Sequence, residues 1–95
     1  MGKPEETVEL YLKKQAEAKG FLCYKFTSPG HNGVPDRCII GNGTTAFVET
    51  KAPDGHLRKI QSHRIKEMQA HGATVYVAFT REQVDKILEE ISTSS

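Results

Sequence analysis

Apolar and polar positions follow two different periods along the chain, and these periods predict its secondary structure. Between residues 4 and 19, apolar side chains such as Val8, Leu12 and Ala16 recur at intervals of three to four residues, which places them on one face of a helix. Two further helices are predicted over 57–71 and from Thr80 onwards. Strands are predicted over four segments rich in aromatic and β-branched residues, at positions 21–27, 37–40, 44–51 and 74–79.

Glycine, proline and asparagine mark where these elements end. Gly20 closes the first predicted helix, as glycine commonly does at a helix C-terminus. Asn42 between two glycines predicts a tight hairpin turn that joins the second and third strands. The order helix, three strands, helix, strand, helix therefore predicts an α/β domain, with a mixed central sheet flanked by helices.

Length and composition narrow the choice of function. The 95 residues, 37% hydrophobic and 26% charged, are typical of one globular domain, and we expect only 92–95 to fray. The formal charge of +1 is not that of a protein that binds nucleic acid through charge alone. No apolar run is long enough to cross a bilayer, so we expect no membrane partner. Cys23 and Cys38 lack CxxC spacing, which favours reduced thiols in a cytoplasmic protein.

Two acids and a lysine are predicted to meet beside the hairpin. Asp36 follows Pro35 where the loop enters the second strand, while Glu49 and Lys51 lie two positions apart on the third. Because strand side chains alternate, Glu49 and Lys51 share a face, and the hairpin brings Asp36 near them. Glu49 and Lys51 alone are typical of a salt bridge on a solvent-facing strand. Their combination with Asp36 favours a catalytic site.

Two neighbouring carboxylates require a compensating cation, because burying like charges together is costly. Oxygen ligands from Asp and Glu suit Mg²⁺ or Mn²⁺. Such an ion lowers the pKa of a bound water and polarises a phosphoryl oxygen, while Lys51 is expected to orient the water or neutralise transition-state charge. The pattern therefore predicts metal-dependent hydrolysis of a phosphodiester.

Three motifs in the chain resemble those of a known family. They are GVPDR at 33–37, FVETKAP at 47–53 and the glutamine Gln61, and together they are similar to the VRR-NUC branch of the PD-(D/E)XK nucleases. The resemblance extends from the first helix to Val77. It implies a restriction-endonuclease-like α-β-β-β-α-β core and a divalent-metal-dependent nuclease. Stand-alone relatives further imply a homodimer that acts on branched DNA such as four-way (Holliday) junctions.

The resemblance also implies roles for individual residues. Asp36 and Glu49 match the carboxylates that hold the metal, and Thr50 matches the position whose backbone carbonyl is a further ligand. The Thr50 side chain departs from the bulkier apolar residue usual there. Lys51 matches the catalytic lysine, and Gln61 matches a glutamine that positions the lysine or the scissile phosphate.

A glutamate on the first helix completes the metal site in this family. Glu9 fits that role best, because it lies about three helical turns before Gly20. Glu5 and Glu6 are the alternatives.

A set of polar and basic residues around the predicted site are candidates for contact with DNA. They are Lys25, Ser28, His31, Arg37, Arg58 and Lys59. Basic side chains at a helix start suit phosphate contacts, but a solvated helix face gives the same pattern. The loop at 28–33 is equally typical of an ordinary connection.

Two other classes of function stay open at this level. One is a DNA-binding module that has the nuclease fold but little or no catalytic activity. The other is a small interaction domain whose carboxylates form surface ion pairs. We favour the nuclease, because Asp36, Glu49 and Lys51 are all present. A homodimer is expected, because a two-fold dimer matches the near two-fold symmetry of a four-way junction, and we place the protein in the cytoplasm of a bacterial or phage-infected cell.

Overall fold

A computed structural model describes the backbone of residues 4–93 and the side chains of residues 7–93. All the predicted elements are present in the predicted order. They are α1 (Pro4–Ala18), β1 (Leu22–Lys25), β2 (Arg37–Gly41), β3 (Thr44–Thr50), α2 (Lys59–Ala70), β4 (Thr74–Ala78) and α3 (Arg81–Thr93).

The four strands form one mixed sheet in the order β1-β2-β3-β4. The β1–β2 and β2–β3 pairs are antiparallel, and the β3–β4 pair is parallel. The last pair is parallel because α2 returns the chain to the end of the sheet at which β3 begins. Arg37 pairs with Val48, so Asp36, one residue before β2, comes opposite Glu49. The α/β fold with a mixed sheet is therefore confirmed, and its register explains why the two acids lie at one end of the sheet.

The main hydrophobic core lies between the sheet and the pair α1 and α3. Leu12, Ile39 and Leu88, from α1, β2 and α3, are completely buried there. Removing such a side chain costs about 2–5 kcal/mol of the free energy of unfolding. These core side chains lie on the face of the sheet opposite to the one that carries Glu49.

On the second face of the sheet, α2 packs against β4 and leaves the β1 edge exposed. Gln61 and Ile65 are the buried residues of α2, and Val75 of β4 is buried as well. The predicted start of this helix at residue 57 was two residues early. Arg58 has an extended backbone, with φ −73° and ψ 157°, and it precedes the first helical residue.

The hairpin turn stabilises the end of α3. Asn42 and Gly43 have positive φ values of 52° and 74°, as a tight two-residue hairpin turn requires. The Asn42 side-chain amide donates to the carbonyl oxygens of Ile91 and Ser92 at 3.0 and 2.9 Å. Ser92 and Thr93, where we expected fraying to begin, belong to α3, while 94–95 lie outside the described residues and their fraying stays a prediction.

The loop between β1 and β2 is closed at its base. Phe26 N–H donates to the Asp36 carbonyl at 2.9 Å, which extends the β1–β2 pairing past Lys25.

Within the described residues, no helix combines the length and apolar character needed to cross a membrane. Cys23 and Cys38 are free thiols.

Candidate active site

Asp36 is held against the end of β3 by Thr50. Its Oδ1 accepts a hydrogen bond from the Thr50 backbone N–H at 3.2 Å, and its Oδ2 accepts one from the Thr50 hydroxyl at 2.7 Å. Thr50 is fully buried, so its hydroxyl has a structural role that a bulkier apolar residue would not provide. The carboxylate is therefore fixed in position by two donors from one residue.

Burial changes the acidity of this carboxyl group. Desolvation raises the pKa of Asp36 above its ordinary value. The hydrogen bonds from Thr50 lower this pKa, and the negative charge of Glu9 raises it. The net direction is upward. A buried carboxylate that resists ionisation favours a compensating cation, which would lower its pKa.

Glu49 lies at the centre of a buried polar group. Its Oε2 accepts a hydrogen bond from Gln61 Nε2 at 3.1 Å and lies 3.4 Å from Lys51 Nζ. Glu49 and Gln61 are only 4% and 6% exposed. The predicted side-by-side arrangement of Glu49 and Lys51 is confirmed, since the ammonium and the carboxylate are in contact.

Gln61 connects this group to the start of α2. Its Oε1 accepts a hydrogen bond from the Arg58 backbone N–H at 2.9 Å, while its Nε2 donates to Glu49. The same side chain therefore satisfies a free amide at the helix start and orients a site carboxylate. The structure places Gln61 inward, where it contacts Glu49, and its role in positioning the lysine or the phosphate stays a prediction.

Glu9 lies beside the site, but in a cluster of opposite charge. Its Oε2 lies 2.7 Å from Lys25 Nζ and 2.9 Å from Arg37 Nε. Burial raises the pKa of Glu9, yet the Lys25 hydrogen bond and the Arg37 charge outweigh it, so the pKa is held below its ordinary value. The side chains of Glu5 and Glu6 lie outside the described residues.

The structure does not bring the three carboxylates Glu9, Asp36 and Glu49 into one ligand set. Among the residues whose side chains are described, no group of three or more His, Cys, Asp and Glu side chains is placed to hold a metal ion. Instead, Asp36 contacts Thr50, Glu49 contacts Lys51 and Gln61, and Glu9 contacts two cations. The expected four-ligand set therefore consists of neighbouring but separate groups.

The candidate DNA contacts fall into two classes. Lys25, His31, Arg58 and Lys59 are exposed, and Ser28 is half-buried, so these side chains are available to a ligand. Arg37 is only 6% exposed and is engaged with Glu9. Its predicted contact with DNA does not fit this position, because the guanidinium is used within the fold.

Two contacts that the sequence did not predict fix the loop before Asp36. Arg64 Nε donates to the Asn32 carbonyl at 2.9 Å. Gly33, with φ +87°, packs so closely on α2 that a Cβ would lie 2.7 Å from the Ile60 carbonyl oxygen. The only sequence signal for this close approach to α2 is Gly33 itself, in the motif that precedes Asp36.

Comparison with known proteins identifies the family. A solved structure described as a VRR_NUC domain matches with a TM-score of 0.84 and 31% sequence identity, covering 93% of this chain and 97% of that one. The chain belongs to the VRR_NUC domain family. No family sequence model matches the chain, so the assignment rests on this near full-length likeness.

A second relative of this VRR_NUC domain comes from a phage. The protein "Putative nuclease p44" of Acyrthosiphon pisum secondary endosymbiont phage 1 is 46% identical over 50 residues, which is 52% of this chain and 54% of that protein. The matched region thus spans about half the length of the phage relative. The roles that the sequence resemblance implies for Asp36, Glu49, Lys51 and Gln61 in this VRR_NUC domain stay predictions.

Proposed function

We propose that the protein is a DNA nuclease that hydrolyses phosphodiester bonds with the help of a divalent cation. The observation that carries the proposal is the buried Gln61–Glu49–Lys51 array beside the desolvated Asp36. Burying two carboxylates and a lysine at one end of a sheet is costly for a purely structural purpose. The VRR_NUC membership and the name of the phage relative support the same activity.

The donor set suits Mg²⁺ or Mn²⁺. These cations prefer oxygen ligands, and Mg²⁺ is commonly held by one or two carboxylates together with waters and substrate phosphate. Asp36 and Glu49 are the carboxylates we assign, with the Thr50 carbonyl as a further ligand. Glu9 would join them only after its oxygen exchanges Lys25 or Arg37 for the cation. When bound, the cation supplies charge neutralisation at the phosphate.

The remaining residues act on the substrate or on one another. Lys51 provides a positive charge beside Glu49, where it neutralises charge that develops on the phosphate. Gln61 fixes the Glu49 carboxylate through its amide and thereby limits the conformations open to it. The exposed Lys25, His31, Arg58 and Lys59, together with Ser28, are the groups we assign to the DNA backbone.

We extend the proposal to branched DNA and to a homodimer in the cytoplasm. A two-fold dimer presents two sites to the two-fold symmetric arms of a four-way junction. Tyr11 of α1 is half-buried and donates to Asp85 Oδ1 at 2.7 Å, so its hydroxyl is engaged within the chain. Sedimentation of the protein at several concentrations tests the dimer.

Cleavage of a labelled four-way junction beside a linear duplex of the same sequence tests the proposal. We expect cuts in Mn²⁺, none in EDTA and none with Asp36→Ala, while Asp54→Ala, an exposed acid in the following loop, cuts normally. Paired symmetric cuts at the crossover alone would support a dimeric junction nuclease. Equal cleavage of both DNAs would keep the nuclease and overturn the junction preference. No cleavage by the folded protein in Mn²⁺ would favour a DNA-binding module.

A further inference from the structure

The edge strand β1 exposes two large apolar side chains on one face of the sheet. Leu22 is 47% exposed and Tyr24 is 56% exposed, whereas Cys23 between them is 7% exposed and packs into the α1–α3 core. Because side chains alternate along a strand, Leu22 and Tyr24 point to the opposite face. Glu49 meets Gln61 of α2 on that same face.

Tyr24 lies one cross-strand row from the catalytic acids. It pairs with Cys38, which pairs with Phe47, while the next row on this face contains Phe26, Asp36 and Glu49. Rows on one face are separated by two residues, or about 6.5–7 Å. The Phe26 and Phe47 rings pack between the rows with centroids 4.9 Å apart. An exposed aromatic ring therefore shares a face of the sheet with the proposed cleavage site, one row away.

We propose that Tyr24, supported by Leu22, is a stacking platform for an unpaired base next to the scissile phosphate. Aromatic side chains bind single-stranded nucleic acid by stacking, without need of a particular base. Bases inside a regular duplex are already stacked on their neighbours, so the platform selects DNA whose nucleotides are unpaired beside the cut. This inference rests on the proposed nuclease site and names the substrate feature that the site recognises.

The size of the patch argues against a second protein copy as its occupant. A stable protein–protein interface buries about 800 Å² on each partner, and even a wholly buried aromatic side chain contributes only about 150–250 Å². Two partly exposed side chains fall well short of that area. The patch instead matches the size of a base, which one aromatic ring can stack on.

Binding in EDTA separates this proposal from catalysis. Fluorescence anisotropy would compare a labelled single strand and a forked duplex with a blunt duplex, for the wild-type protein, Tyr24→Ala and Tyr24→Trp. We expect Tyr24→Ala to weaken single-strand and fork binding about tenfold, with the blunt duplex little changed and Tyr24→Trp close to wild type. Leu10→Ala removes another exposed apolar side chain, 61% exposed on α1, and should bind normally.

Each result bears on the platform separately from the nuclease. Unchanged single-strand binding by a folded Tyr24→Ala would overturn the platform, even if the protein cuts DNA in Mn²⁺. Selective loss of binding in a protein that never cuts DNA would support the platform and count against the nuclease. A Tyr24→Ala variant that sediments as a smaller species and keeps its DNA affinity would identify a self-association surface and also overturn the platform.

Discussion

Gln61 on α2 donates a hydrogen bond to Glu49 on β3, with 3.1 Å between Nε2 and Oε2, across 12 positions of the sequence. The same glutamine accepts a hydrogen bond from the Arg58 backbone N–H. The start of α2 and the site carboxylate are therefore set by one side chain. Any change at Gln61 acts on the helix and on the carboxylate together.

Replacing Gln61 with alanine is expected to lower both stability and activity. The buried Glu49 loses a hydrogen-bond donor and the Arg58 amide loses its acceptor, which together cost about 1–3 kcal/mol of the free energy of unfolding. Urea unfolding and single-turnover cleavage at saturating DNA would measure the two effects. Ser62→Ala, one residue along the same helix, is the control, and an unchanged cleavage rate in Gln61→Ala would refute the positioning role.

Replacing Lys51 with methionine is expected to remove activity while leaving DNA affinity nearly intact. Loss of one charge that stabilises the transition state lowers kcat by about 100- to 1,000-fold. Lys59→Met, an exposed lysine at the start of α2, should have the reverse pattern, with weaker binding and little change in kcat. A Lys51→Met variant with normal kcat would exclude Lys51 from the chemistry.

Asp36→Asn is expected to stabilise the metal-free fold at neutral pH. Because the folded pKa of Asp36 is raised above its ordinary value of 3.8, its contribution to stability is complete below that value and is lost as pH rises through the folded pKa. The variant avoids this loss and should melt at a higher temperature than wild type at pH 7 in EDTA, with a difference that shrinks on acidification.

Asp54→Asn makes the same charge change at an exposed position and should not reproduce this effect. The Asp36→Asn variant should also fail to gain stability from Mn²⁺, since ligand binding raises the melting temperature only where a site exists. A lower melting temperature for Asp36→Asn at pH 7 would contradict the predicted direction.

Glu9→Gln is expected to change stability with the opposite pH dependence. Cations at Lys25 and Arg37 outweigh burial and hold the folded pKa of Glu9 below its ordinary value of 4.5. Its stabilisation is therefore present above 4.5 and is lost as pH falls through the lower folded value. Thermal melts from pH 3 to pH 7 should converge for wild type and variant at the acid end, and parallel curves would show that the ion pairs contribute nothing.

Two substitutions at Asn42 should separate its two structural contributions. Asn42→Gly keeps the positive φ of the hairpin turn but removes the hydrogen bonds to the Ile91 and Ser92 carbonyls. Asn42→Ala removes those bonds and adds backbone strain of about 1 kcal/mol. We expect both variants to be less stable than wild type, with alanine the lower of the two in urea unfolding. Equal stability of the glycine variant and wild type would mean that the α3 contacts are unimportant.

The sequence predicted the order of elements because its signals are local. Helical periodicity, β-rich segments and the turn at Asn42 each depend on neighbouring residues, and the position of Asp36 opposite Glu49 follows from the hairpin register. The pairing of Glu9 with Arg37, 28 residues apart, has no local signal. It depends on how α1 packs across the sheet. The sequence therefore suggests a DNA contact for Arg37, whereas the structure buries this side chain.

The start of α2 shows the same limit on a smaller scale. Leu57 fits the apolar pattern of the helix, but the extended Arg58 and the acceptor from Gln61 set the first helical residue at Lys59. A glutamine three residues after the N-cap is a recognisable signal. Gln61 therefore has a structural function at the start of α2 in addition to its predicted function in the site.

The hydrogen bond between Phe26 N–H and the Asp36 carbonyl makes the geometry of the sheet independent of the length of the loop between β1 and β2. Residues 27–35 leave and return at one fixed base, so insertions at their tip leave the spacing between Asp36 and Glu49 unaltered. Longer loops close with little added entropic cost. The same arrangement of Asp36 and Glu49 can therefore accept new loops during evolution or engineering, and under the proposed function each loop would contact DNA differently beside an unchanged site.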